Sequence, residues 1–145
     1  MIKPETISEQ LLFATIRLQT DNGVGTGFIF HLKIDDKRLL PVIITNKHVV
    51  NYLENQKTKF ILHVKENNLP SDNYIEIEYD SNWIFHPEKE TDLCCTPFEP
   101  LLLQIREKLS KEIFYIPVSE NIIWSNDNLS ELTAVENILM VGYPT

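Results

Sequence analysis

Glycine is scarce in this sequence, with four in 145 residues, and three of the four fall inside one stretch, GVGTGFIFH at 23–31. Cysteine is scarcer still. Cys94 and Cys95 are neighbours, which excludes an ordinary long-range disulfide staple and fits a reducing compartment. No apolar run approaches the roughly 20 residues that a membrane-spanning helix needs. The opening MIKPETISEQ has neither the basic nor the apolar region of a secretory signal, so the expected location is cytoplasmic. Basic residues are in deficit, 13 Lys+Arg against 21 Asp+Glu, for a net charge of −8 with the acidic side chains scattered. That argues against nucleic acid or an anionic membrane as a principal partner. No spacing among the four histidines resembles a zinc site, and adjacent cysteines lack the two-residue gap that lets both sulfurs reach one ion, so neither metal nor cofactor is expected.

What is present is a series of short apolar segments separated by turns. SEQLLFATIRLQT begins with residues suited to one helical turn and becomes strand-like from Ala14 to Thr20, where it meets DNG. FIFHLKI, the polar turn DDKR at 35–38 and LLPVIIT form the next hairpin. NKHVVNYLEN places Val49, Val50 and Leu53 at helical spacing, which predicts a short helix near 47–54. KFILHVK and YIEIEY return to strand, and the second puts Ile75, Ile77 and Tyr79 on one face and Glu76 and Glu78 on the other. NWIFHP is a short extended piece, and DLCCTPF is a strand followed by a break. FEPLLLQIREKLS, near 98–110, is an amphipathic helix with Leu101, Leu102, Ile105 and Leu109 on one side. After IFYIPV and a polar loop at 119–134, VENILMVGYPT reads as a last strand. Many short strands with few helices predict an all-β barrel or sandwich.

The glycine stretch admits several readings. A dinucleotide fingerprint would need glycine where Phe28 stands, and a phosphate loop would need a Gly-Lys-Ser/Thr ending that is absent. A flexible linker would not run at once into Phe28, Ile29 and Phe30. Strand geometry puts Gly23, Gly25 and Gly27 on one face, bare enough for neighbouring backbone to lie against it, while Val24, Thr26 and Phe28 fill the other. A bulge or a bend at a barrel corner is the alternative.

GTGFIF, a hairpin, a buried strand and then ITNKHVV resembles the opening of the trypsin-like serine peptidases, in the bacterial branch that keeps the double barrel without its disulfides. The resemblance implies that His48, three residues after Thr45, is the general base and Thr45 its supporting residue. WIFHPEKETDLCC is similar to the family stretch that carries the acid, which implies that role for Asp92; His86 would match its structural His-Pro. VENILMVGYPT is similar to the strand that opens the second barrel. On this resemblance 1–13 is an N-terminal segment, 14–116 the first antiparallel β-barrel, and 117–145 a connector with the opening strand of an incomplete second barrel. His31 and His63 lie in strands and are expected to be structural.

A serine hydroxyl is a poor nucleophile at neutral pH, so an imidazole must take its proton and a carboxylate must hold the imidazole's tautomer. The family's serine sits in a glycine turn that also builds the oxyanion hole. Ser8, Ser71, Ser81, Ser110, Ser119, Ser125 and Ser130 all lack a glycine neighbour, and neither cysteine is in such a turn. No nucleophile is therefore expected in these residues. Three readings follow. One is the N-terminal half of a serine endopeptidase, truncated and inactive alone, which would take a polypeptide substrate once a second barrel completes it. A second is a non-catalytic protein-interaction module. The third is one half of a split peptidase finished by a complementing chain.

Overall fold

The computed structural model describes residues 3–144. Helix α1 (Ile7–Ala14) starts at a Thr6 cap whose hydroxyl accepts from the Glu9 amide while the Glu9 carboxylate accepts from the Thr6 amide. The sequence supports two helical turns here, not one, and the chain passes directly from Ala14 into strand β1 (Thr15–Thr20). Asp21 and Asn22 turn it into β2 (Gly23–Lys33). Asp35 then closes the next turn, accepting from the Lys37 amide at 2.9 Å and from Arg38 Nε at 2.7 Å, and β3 (Leu39–Thr45) returns along β2.

Strands β4 (Asn55–Glu66) and β5 (Leu69–Asn82) form a long hairpin through Asn67 and Asn68, whose φ values of 51° and 62° give the left-handed pair a tight two-residue hairpin requires. Only Trp83 separates β5 from the short β6 (Ile84–Phe85), which pairs with β7 (Cys94–Pro97). The sheet order is β5-β4-β1-β2-β3-β7-β6, antiparallel throughout, with β8 (Val118–Ser119) added parallel to β2. The ladder does not close on itself, although its two ends are consecutive in the chain. The all-β expectation holds as a mostly antiparallel sheet with three short helices. Leu18, Ile29, Ile43, Phe60, Leu62 and Trp83 belong to its buried core. Helix α2 (Glu99–Leu109) lays Leu101 and Ile105 onto that core, at about 2–3 kcal/mol for each buried side chain. Its predicted partner Leu109 is instead exposed, in the last turn before the left-handed Ser110.

Two predicted elements do not form. Residues 47–54 make a run of tight turns and no helix: the amides of Val49, Asn51 and Leu53 each reach back three residues, and Asn51 and Tyr52 at φ 53° and 56° break any α-ladder. The predicted strand over 135–145 is not paired in its described part, and Thr145 lies outside the described residues. A strand needs a neighbour for its backbone N–H and C=O groups. Here Ile138 and Met140 are each 91% exposed, and α3 (Asn126–Leu129) is the only α-helix among the described residues of 117–144. Among the described residues no helix is long and apolar enough to cross a membrane.

The glycine face is approached by backbone, as expected, only at Gly27, and by side chains at both Gly25 and Gly27. A Cβ on Gly25 would stand 2.4 Å from Val49 Cγ1, and one on Gly27 would stand 3.1 Å from both Ile43 Cγ2 and Leu18 Cδ1. The space is thus taken by side chains at Gly25 and by side chains together with the Ile44 carbonyl, 3.2 Å away, at Gly27, while Gly23 has open space around it. Valine has little freedom at χ1 to retreat. We expect Gly25→Ala to cost about 1–3 kcal/mol through overpacking, and Gly25→Ala/Val49→Ala to recover part of the lost melting temperature by relieving the overlap; equal melting of the single and double variants would contradict this.

Candidate functional site

The His48 turn is built by pairing at the end of the sheet. In the β3–β7 ladder Thr45 lies opposite Cys94, so the chain leaving β3 and the chain entering β7 are at the same edge. His48, three residues beyond Thr45, thereby meets Asp92, two residues before Cys94. Thr45 is buried, and its hydroxyl donates to the Thr26 carbonyl at 2.8 Å, tying the end of β3 to β2. On the other side of the turn the Thr20 hydroxyl donates to the Val49 carbonyl at 3.5 Å, and Gln56 Nε2 donates to the Val50 and Leu53 carbonyls.

Asp92 grips His48 twice: Oδ2 is 2.5 Å from Nδ1 and Oδ1 accepts from the His48 amide at 3.1 Å. The His48 side-chain hydrogen bond is the main reason the Asp92 carboxyl is held below its ordinary value of 3.8, with backbone donation from His48 and Lys47 adding to it. An ionised carboxylate can only accept, so Nδ1 carries the proton of the neutral ring and Nε2 keeps its lone pair. No hydrogen bond occupies Nε2 among the described residues. His48 and Asp92 are 60% and 42% exposed, and so open a pair adds little to stability. Its geometry matters more for what the free nitrogen can accept.

That ring lines a cleft of about 410 Å³ together with residues 23–26, Asn46 and Tyr143. Tyr143 is brought there by its amide, which donates to Thr26 Oγ1 at 2.8 Å, and by Gly142, where a Cβ would come within 3.2 Å of the same oxygen. Burial pushes the Tyr143 phenol above its usual value, against a hydrogen bond with Thr15. Asn46, Lys47, Thr26 and Tyr143 do not stand out in the sequence as site residues. Asn46 and Lys47 carry one visible signal, two polar residues where an apolar strand ends beside a histidine; Thr26 and Tyr143 are joined only by the fold.

No hydroxyl or thiol among the described residues is hydrogen-bonded to His48. Ser71 and Ser81 donate to β5 carbonyls two residues away, Ser130 donates to the Asp127 carbonyl, and Ser125 caps α3. Burial raises the Cys94 thiol to about 12 and the Cys95 thiol in the same direction, so both stay protonated at neutral pH. His86 Nδ1 accepts from the Glu88 amide at 3.1 Å, a turn contact. His31 lies in β2 and His63 in β4, where the His63 ring packs edge-on against Phe13 at 5.0 Å. Among the described residues no three His, Cys, Asp or Glu side chains are grouped as a metal site.

Acid acts on these groups in two windows. Burial lowers both His31 and His63 below their usual 6.5, and His31 Nε2 is buried with no acceptor for a proton. Between the lowered folded values and 6.5 the unfolded chain binds more protons, so stability falls as pH drops below 6.5. The Asp92 contribution is complete above its unfolded value near 3.8 and is lost as pH falls through the lowered folded one. Melting temperature followed against pH should therefore fall below pH 6.5, a fall flattened in His31→Gln/His63→Gln; the later fall at carboxylate pH is shared by Glu9, Asp35, Asp92, Glu112 and Glu136, so Asp92→Asn should flatten it only slightly.

Compared with protein-family models, with curated proteins and with solved structures, the chain matches none.

Proposed function

We propose that His48 and Asp92 are the general base and its orienting acid in a trypsin-like serine endopeptidase, in a chain that carries this pair without the nucleophile. The observation that carries the reading is the double contact from Asp92 to the His48 ring and amide, on a ring that lines a cleft and has no hydrogen bond at Nε2 among the described residues. On this reading the open sheet is the first of two β-barrels, and the free, adjacent cysteines belong to a cytoplasmic protein. A serine supplied by a further segment or by a complementing chain would attack the peptide carbonyl carbon while its hydroxyl proton passes to Nε2. The resulting imidazolium, steadied by Asp92, then returns that proton to the departing amine as the carbon–nitrogen bond breaks. Thr45 supports this by fixing the end of β3 against Thr26.

A protein-interaction module is the second reading, favoured by the exposed Ile122, Ile123, Trp124, Ile138 and Met140 after β8. The two are separated with a fluorophosphonate probe. The chain alone should not be labelled; stoichiometric labelling would contradict the absence of a nucleophile. Expressed together with the polypeptide encoded beyond codon 145, it should support labelling of a serine there, reduced about 10⁴-fold by Asp92→Asn and comparably by His48→Ala. Labelling indifferent to both substitutions, or no labelling at all, would overturn the peptidase reading in favour of the interaction module.

A further inference from the structure

Three consecutive residues, Asn46, Lys47 and His48, each reach across to the same loop. Asn46 Nδ2 donates to the Asp92 carbonyl at 2.7 Å, Lys47 Nζ donates to the Glu88 carbonyl at 3.0 Å, and His48 engages the Asp92 carboxylate. Lys47 is the unusual member. Lysine is almost never fully buried without a partner, yet this one is 5% exposed, with its ammonium 5.9 Å from the centroid of the Phe85 ring. Its partner is a carbonyl, so the contact is a charge-assisted hydrogen bond and not an ion pair.

The Glu88 carbonyl is the hinge point of the 86–93 loop. It accepts from the Thr91 amide at 3.1 Å as well as from Lys47. The Thr91 hydroxyl bonds back to the Glu88 carboxylate, and the Leu93 amide to the Thr91 carbonyl. At the loop's ends the His86 amide donates to the Leu93 carbonyl at 2.9 Å. Asp92 is therefore held at its own carbonyl by Asn46, and its loop is held at the base by the His86–Leu93 contact and at Glu88 by one buried cation. Because Lys47 and His48 are adjacent, the same turn that places the ring also places the ammonium that fixes the ring's acceptor.

We propose that Lys47 is a positioning residue: through the Glu88 carbonyl it sets the place of Asp92 and so the orientation of the His48 imidazole. Its role in catalysis rests on the peptidase reading, whereas its action on the pair's geometry does not. Lys47→Met keeps an unbranched chain against Phe85 and removes the charge and the donors. Its expected mark is confined to the pair. The His48 amide and Nδ1–H protons exchange with solvent about tenfold faster, as the loss of one hydrogen bond to a charged group requires, while amides of β3 such as Ile43 keep their protection. In the complemented enzyme the probe labels at a rate lower by the same factor.

Proton-exchange NMR on the chain tests this directly. Unchanged exchange at His48 in Lys47→Met overturns the proposal. Should that variant not fold, the wild-type chain provides a second measurement: the Lys47 ammonium protons must exchange more slowly than those of the exposed lysines and show coupling to the Glu88 carbonyl carbon, and an ammonium that exchanges at the surface rate overturns it. If exchange behaves as expected and no serine is ever labelled, the clamp stands and the peptidase reading falls.

Discussion

The site depends on one constraint, the antiparallel register that sets Thr45 of β3 against Cys94 of β7. Antiparallel pairing brings the end of one strand to the beginning of the other, so residues 44 apart in sequence are joined in a 2.5 Å contact. Shifting that register by one residue would turn every side chain of β7 to the opposite face. It would exchange buried Cys94 and Thr96 for half-buried Cys95 and Pro97 and carry Asp92 away from the ring. The register is defended by burial: Cys94 and Thr96 of β7 are interior, and a slip would turn them away from the positions that bury them.

The remainder of the structure holds the His48 turn against that edge. Gly25 leaves room on β2, and Val49 drops into it from the residue after His48. Val50 is wholly buried in the core. Two valines therefore fasten the base of the turn by packing, while Thr20 and Gln56 bind its carbonyls and Thr45 binds β2. What protrudes is the imidazole, and it is held by a charged acceptor in place of packing. An exposed ion-pair contact of this type contributes little to the stability of a fold. The same exposure leaves Nε2 open to a reactant.

Much of the sheet was legible in local pattern. The DDKR turn, the alternation in YIEIEY and most of the apolar stripe of α2 depend on contacts within a few residues, and the chain obeys them. The misjudged elements depended on distant partners. Val49, Val50 and Leu53 have helical spacing, but Val49 is recruited by Gly25, and Asn51 and Tyr52 turn left-handed to deliver the chain into β4. VENILMVGYP has strand propensity, yet among the described residues no neighbouring strand pairs with its backbone, and propensity alone does not make a sheet. Leu109 completes the stripe of α2 on paper but stands beyond the surface that Leu101 and Ile105 cover.

The sequence by itself determined the class of the fold and the residue types at the site, because alternation, turn chemistry and the order Thr45, His48, Asp92 are properties of the chain read in one dimension. The tertiary structure decided which of those residues meet and what else they meet. Lys47 in a sequence reads as a surface charge; only the folding of the 86–93 loop over it buries the ammonium against Phe85 and gives it the Glu88 carbonyl. Likewise Thr26 and Tyr143, 117 residues apart, become one wall of the cleft because a hydrogen bond across the fold joins them. Long-range register and desolvation set these contacts, and neither is a function of neighbouring residues alone.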